Sequence, residues 1–150
     1  MTHFSIQPAT ENHQTAIKEL IGDVGINPMG LKWQRFLVAL DDTEHIIGCG
    51  QVKPHRDGSR ELASIAVTRT WRNQGVARAI IKALAEQHQR PLWLTCMSRL
   101  MPFYAQFGFV DATGGADLPS YYRWSLRLFP IYARLRSVKG YLAVMVLSDE

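Results

Sequence analysis

Between Thr68 and Ile80 the chain reads TRTWRNQGVARAI. Arg69 and Arg72 stand just ahead of a lone Gly75, small Ala77 follows, and an apolar helical pattern then begins. Residue types at this spacing suit the holding of an anion. A helix N-terminus offers four unpaired backbone N–H groups and a partial positive charge, and a phosphate answers both. Gly75 lets the backbone come close, Ala77 is too small to obstruct it, and Arg72 with Arg69 brings charge and paired donors. The stretch is a candidate diphosphate cradle; the competing reading is a strand-to-helix turn with solvated arginines. Other phosphate-binding patterns fit worse. GxxxxGK[ST] is absent, and GCGQVK, residues 48–53, begins like a dinucleotide fingerprint but has Lys53 in place of the third glycine and no helix after it.

Metal and thiol chemistry are poorly supported. Cys49 and Cys96 are too few for a cysteine-based zinc site, and the five scattered histidines contain no HxxxH pair. Both cysteines sit in apolar, strand-like runs, as buried reduced thiols in a reducing compartment would. No histidine stands near Cys96 in the sequence to activate it, so a structural role is preferred. No apolar run approaches the roughly 20 residues of a membrane span, and the first residues lack the basic and apolar regions of a secretory signal. A cytoplasmic location is expected on those grounds.

The elements that must position these residues follow from periodicity. HFSIQPA reads as a first strand ending at Pro8. Glu11 to Ile21 has apolar residues at Ala16, Ile17, Leu20 and Ile21, which is helical spacing, and GDVGINPMG is a loop. WQRFLVALD and HIIGCGQVK are two strands joined by a turn at 41–44. Asp57-Gly58 marks a hairpin, and ELASIAV, Glu61 to Val67, is the next strand. A helix is expected from about Gln74 to His88, with Val76, Ile80, Ala83, Leu84 and Gln87 on one stripe. PLWLTC is a short buried strand, and LMPFYAQFGF a short helix ending at Gly108 as a glycine C-cap. An aromatic and basic helix and the strand YLAVMVL close the chain. Hairpins early and a βαβ unit later predict an α/β protein with a central mixed sheet flanked by helices. The 150 residues predict a single domain, 1–150. In open α/β sheets ligands bind at the carboxyl ends of strands, where the junction lies.

Arg72-Asn73-Gln74-Gly75-Val76-Ala77 follows the strand ELASIAV and is itself followed by Phe103-Tyr104-Ala105-Gln106-Phe107-Gly108-Phe109. The two together resemble the GNAT superfamily of N-acetyltransferases. Its acetyl-CoA signature is [Gln/Arg]-x-x-Gly-x-[Gly/Ala], and its later motif is commonly aromatic-Tyr-x-x-x-Gly-Phe. The resemblance covers about Glu61 to Phe109, and the flanks match in element order. It implies a GNAT-like acyl-CoA N-acyltransferase fold, acetyl-CoA as cosubstrate, no metal, and direct transfer to a primary amine.

Residue by residue, the resemblance implies that the amides of Arg72, Asn73, Gln74, Gly75, Val76 and Ala77 cradle the CoA pyrophosphate. Ile65, Ala66 and Val67 would pair with the pantetheine arm as an added strand, with the Val67 N–H facing the thioester carbonyl. Tyr104 would be the general acid for the departing thiolate; alternatively it only packs against the sheet. Glu61 would be the base. Period-two alternation places Glu61, Ala63, Ile65 and Val67 on one face; the alternative for Glu61 is an exposed strand end paired with Arg60 or Arg56. The family often has an asparagine near Thr95–Ser98 to hold pantetheine, and none is present. The acceptor pocket is expected around GDVGINPMGLKW, with Asn27, Met29, Trp33 and Gln34 as candidates, although Trp33 could equally be core and core is preferred for Met29. Tyr121, Tyr122 and Arg123 could form another wall, and an arginine there would suit an acceptor carrying a carboxylate.

The net charge of +4 is uneven: Pro119 to Gly140 holds Arg123, Arg127, Arg134, Arg136 and Lys139 and no acidic residue. Tyr121, Trp124, Leu128, Tyr132 and Leu135 follow 3–4 spacing, as in a core-packing helix, with Pro130 expected to kink or end it. Packing is the first reading of this segment and a homodimer contact the second. Neither nucleic acid nor membrane is expected as a partner. A small molecule or amino acid is favoured as acceptor. The alternatives are a protein lysine or N-terminus, or a non-catalytic acyl-CoA-binding regulatory module.

Overall fold

The computed structural model describes residues 3–136 and 139–149, except for the side chain of Arg136. Ser137 and Val138, within the basic segment singled out above, lie outside the described residues. The chain runs β1 (Ser5–Pro8), α1 (Gln14–Val24), β2 (Phe36–Leu40), β3 (Ile46–Pro54), β4 (Arg60–Val67), α2 (Val76–Gln87), β5 (Leu92–Met97), α3 (Met101–Ala105), β6 (Val110–Asp111), α4 (Ser120–Arg136) and β7 (Leu142–Leu147). The strands make the mixed sheet expected, in the order β1-β2-β3-β4-β5-β7-β6. The chain divides into two compact units, Met1–Lys53 with Leu62–His88, and Pro54–Glu61 with Gln89–Glu150.

In the first unit β1, β2 and β3 pair antiparallel, with Ser5 opposite Leu40 and Phe36 opposite Gln51. Strand alternation on β3 sends Cys49 to one face, where it joins Ile17, Leu20 and Ile21 of α1 with Phe36, Val38 and Leu40 of β2. Gly48 and Gly50 point to the other face, against α2. A Cβ on Gly50 would stand 2.6 Å from Ile65 Cδ1 and 2.7 Å from Ile80 Cγ2, and one on Gly48 would stand 2.7 Å from Val76 Cγ1. The glycines of GCG thus serve close helix–sheet packing.

In the second unit β5 and β7 pair antiparallel from Leu92 opposite Leu147 to Met97 opposite Leu142, and the short β6 adds Val110 opposite Val146. The start of β4 joins β5 in parallel, Glu61 opposite Trp93. The core is Leu118, Tyr122 and Val144, with Trp93, Tyr121 and Leu126 packed on it. Helix α3 stops at Ala105, three residues before the expected end, and Gly108 lies beyond it with φ 96°.

Helix α4 departs from expectation twice. The stripe Tyr121–Trp124–Leu128–Tyr132–Leu135 is not its buried face: Trp124 is 65% exposed and Leu135 80%, whereas Tyr122 is fully buried. Tyr122 stacks on Trp93 at 5.4 Å, and Tyr121 stacks on His55 at 3.6 Å, and these two contacts set the helix rotation. Pro130 lies inside the helix. Half-buried Phe129 and Ala133 flank it, and the helix continues through the proline to Arg136.

Filling the glycine face of β3 should be costly. Gly50→Val is expected to lower stability by about 1–3 kcal/mol through overpacking against Ile65, Ile80 and Leu84. Urea unfolding would measure the loss.

Candidate active site

The junction after β4 is built within the first unit. The Thr68 N–H donates to the Ile47 carbonyl at 2.9 Å, and a short 3-10 turn, Arg69–Trp71, follows. Asn73 (φ 64°) and Gly75 (φ 85°) are left-handed, which glycine tolerates freely and asparagine better than most residues. Gly75 is the N-cap of α2, and no side chain caps the helix. The first bond of α2 runs from the Ala79 N–H to the Gly75 carbonyl, so the amides of Gly75, Val76 and Ala77 precede the helical ladder. Arg72, Asn73, Gln74 and Gly75 are exposed. Arg72 Nε donates to the Val67 carbonyl at 3.4 Å, laying the guanidinium beside the strand end. An uncapped helix start, exposed turn backbone and an arginine occur together at this junction, features that suit an anion.

Strand β4 does not keep a strict two-residue period. Ser64 is left-handed, with φ 59°, and its hydroxyl accepts from Gln51 Nε2 at 2.8 Å. A left-handed residue inside a strand interrupts the pleat in the manner of a bulge. Glu61 is buried while Ala63, Ile65 and Val67 are half-buried, so the four do not form the uniform face expected of them.

Glu61 lies in the second unit and is 5% exposed, which removes the reading of an exposed strand end. Its Oε1 lies 2.9 Å from His55 Nε2, and its Oε2 accepts from the Thr95 hydroxyl at 3.3 Å. His55 sits at the mouth of the β3–β4 hairpin, its N–H donating to the Ser59 carbonyl at 2.9 Å and its carbonyl accepting from Gly58 at 3.0 Å. With 55 opposite 59, residue 61 is the diagonal neighbour on the same face. The hairpin also anchors α4. Asp57 Oδ1 accepts from Ser59 N–H and hydroxyl at 2.8 and 2.6 Å, and Oδ2 accepts from Tyr121 N–H at 3.0 Å. Burial would raise the Asp57 pKa, but the Ser59 hydroxyl and the Tyr121 and Ser59 amides outweigh it and hold the carboxyl at about 2. Tyr121 is pushed up by burial and by the charge of Glu61.

Tyr104, on α3 of the second unit, is half-buried, its ring edge-on to Phe103 at 5.1 Å and to Phe109 at 6.2 Å. Burial, and secondarily Cys96, push its phenol up to about 12. It therefore stays protonated across the neutral range. Cys96 is pushed up to about 11 by burial and by Asp111, and Cys49 by burial to about 12. Both are free and buried, and neither is a ready nucleophile at neutral pH.

The loop expected to shape the acceptor pocket is tied down in the first unit. Gln14 takes the Trp33 N–H and donates to the Leu31 carbonyl, Lys53 Nζ donates to the Met29 carbonyl at 2.8 Å, and Gln51 Nε2 donates to the Gly30 carbonyl at 3.2 Å. Met29 is 70% exposed, contrary to the core position expected of it, because its backbone rather than its side chain makes the anchor. Asn27 and Gln34 are exposed, and Trp33 is half-buried against the α1 core. Tyr122 is too buried to meet a ligand, whereas Arg123 is exposed and lines a groove of about 420 Å³ with Trp124 and Arg127.

A family model described as an acetyltransferase (GNAT) domain matches residues 32–111. The chain belongs to the GNAT acetyltransferase family. It is an acyltransferase, and its fold recurs in solved structures. Rv2747 of Mycobacterium tuberculosis, in complex with CoA and NLQ, is 19% identical, with a TM-score of 0.74 over 97% of this chain and 99% of that one. N-acetylglutamate synthase of Neisseria gonorrhoeae, complexed with coenzyme A and N-acetyl-glutamate, is 18% identical with a TM-score of 0.73 over 99% of this chain. This acetyltransferase spans only 35% of that synthase. Escherichia coli ElaA is 14% identical, with a TM-score of 0.68 over 99% of this chain and 100% of that one. No curated protein matches the chain. Among the described residues no helix of the acetyltransferase is long and apolar enough to cross a membrane.

The sequence reading missed His55. The available signal was positional: a histidine and a glutamate flanking the Asp57-Gly58 turn fall on one face once the hairpin register is set. The Asp57 cap is testable. Asp57→Ala is expected to cost about 1 kcal/mol at pH 7, as for loss of a helix cap. The folded carboxyl lies below its ordinary value, so its contribution is present above that value and lost as pH falls toward about 2. Chemical denaturation at stepped pH should show variant and wild type converging in acid.

Proposed function

We propose that this acetyltransferase takes acetyl-CoA as cosubstrate and transfers the acetyl group directly to a primary amine, an amino acid or other small molecule. The observation that carries the reading is the uncapped start of α2, with left-handed Asn73 and Gly75 and exposed Arg72 inside the family's signature spacing. The amides of Arg72 to Ala77 hold the pyrophosphate there. Ile65, Ala66 and Val67 offer strand backbone to the pantetheine arm, and the Val67 N–H stabilises the charge that develops on the thioester oxygen. The CoA complexes of Rv2747 and the N-acetylglutamate synthase support the cosubstrate. The synthase's N-acetyl-glutamate complex favours an amino acid as acceptor.

Glu61 takes a proton from the incoming ammonium. The freed amine attacks the thioester carbon, the C–S bond breaks, and the sulfur leaves as thiolate, while the second surplus proton of the attacking nitrogen passes to solvent, from which Tyr104 regains its own after the transfer. Tyr104, protonated at working pH, supplies the hydrogen bond and proton that the thiolate requires. No covalent acetyl-enzyme is needed, consistent with the high pKa of Cys96. The reading takes residues 1–150 as one acetyltransferase domain. Buried free Cys49 and Cys96 favour a reducing, cytoplasmic setting.

Calorimetry with acetyl-CoA tests the cradle. Wild type should bind, and Gly75→Glu should weaken binding by at least about tenfold, or 1.4 kcal/mol. Absence of wild-type binding would overturn the reading. Tyr104→Phe should bind acetyl-CoA unchanged yet release CoA roughly 10²-fold more slowly with amine present; an unchanged rate would remove Tyr104 as the acid.

A further inference from the structure

We infer that His55 is a positioning residue for catalysis, holding the Glu61 carboxylate aimed by donating its Nε2–H to Oε1. The inference rests on the reading of Glu61 as the base. Four features of the second unit support it. The 2.9 Å contact joins two side chains that are 14% and 6% exposed, so solvent screens it little. The hairpin fixes the His55 backbone through Ser59 and Gly58. Tyr121 lies flat on the imidazole, 3.6 Å between centroids with 15° between planes, and fixes the ring orientation. Thr95 donates to the other oxygen, Oε2, so the two donors together set the carboxylate plane.

The groups facing this pair are identified. Tyr121 and Tyr122 of α4 feel the charge of Glu61, and Asp57 of the hairpin feels His55. Both phenols are pushed upward by burial first and by Glu61 second, so they stay neutral beside the carboxylate. His55 is therefore the nitrogen donor on Glu61, with Thr95 the hydroxyl donor. A donor to the ionised form favours that form, and its loss makes a buried carboxylate harder to ionise. His55 also lines a groove of about 400 Å³ with Arg56, Asp57, Tyr121 and Trp124. The groove gives a small diffusible donor a route to the ring's place when the ring is absent.

The test compares the pH dependence of CoA release in wild type, His55→Ala, His55→Gln and Glu61→Gln, using acetyl-CoA and the fastest amine from a panel of amino acids and simple primary amines. His55→Ala should lose roughly tenfold or more in kcat at neutral pH with little change in KM for acetyl-CoA. Its acidic limb should move upward, because the buried carboxylate has lost a donor. His55→Gln, which keeps an N–H donor, should restore the limb, as should added imidazole with His55→Ala. A wild-type limb and rate in His55→Ala, alongside a slow Glu61→Gln, would overturn this inference alone. A wild-type rate in Glu61→Gln would overturn the base reading itself. Nitrogen-15 NMR of the imidazole needs no turnover: an Nε2–H tautomer is expected, and an Nδ1–H tautomer with bare Nε2 would contradict the donor assignment.

Discussion

A buried carboxylate demands partners. Glu61 is 5% exposed, and an ionised group at that depth costs several kcal/mol unless it is paired and hydrogen-bonded. Much of the second unit meets that demand. The hairpin brings His55 across to Oε1, β5 presents Thr95 to Oε2, and α4 lays Tyr121 on the imidazole. Asp57, two residues from His55, binds the hairpin to the first turn of α4. One short turn thus sets the histidine, the helix and, through both, the surroundings of the carboxylate.

The first unit works in the opposite sense, leaving polar groups open rather than satisfying them. Helix α2 begins without a side-chain cap, on a left-handed glycine. It is held close to β3 because Gly48 and Gly50 leave room for Val76, Ile80 and Leu84. Close packing fixes where the helix starts, and no side chain caps its first amides. The proposed diphosphate cradle draws on both features. The same first unit ties the loop after α1 through Gln14, Gln51 and Lys53, so that loop too is held by side chains from regular elements.

The parts legible in the sequence were those governed by local spacing. The Arg72–Ala77 junction, the order of strands and helices, and the buried state of Cys49 and Cys96 depend on near neighbours or on simple periodicity. Features set at long range were not legible. The partners of Glu61 come from six residues away across a hairpin and from Thr95 on another strand, whereas a linear reading offered only Arg60 and Arg56. The rotation of α4 is set by contacts with Trp93 and His55, so the spacing of Trp124, Leu128 and Leu135 named the wrong face. Met29 looked like core by composition, yet its carbonyl is the part that is anchored. Ser64 broke an alternation that no residue-type rule would flag.

The central claim is transfer of acetyl from CoA to an amine without a stop on the protein. Its most direct measurement is mass spectrometry of small molecules and intact protein after incubation with acetyl-CoA and a mixture of amino acids and primary amines. One N-acetylated amine formed in step with free CoA, and a protein of unchanged mass, are expected. Acetyl accumulating on the protein itself, or CoA released with acetate and no acetylated amine, would contradict that claim.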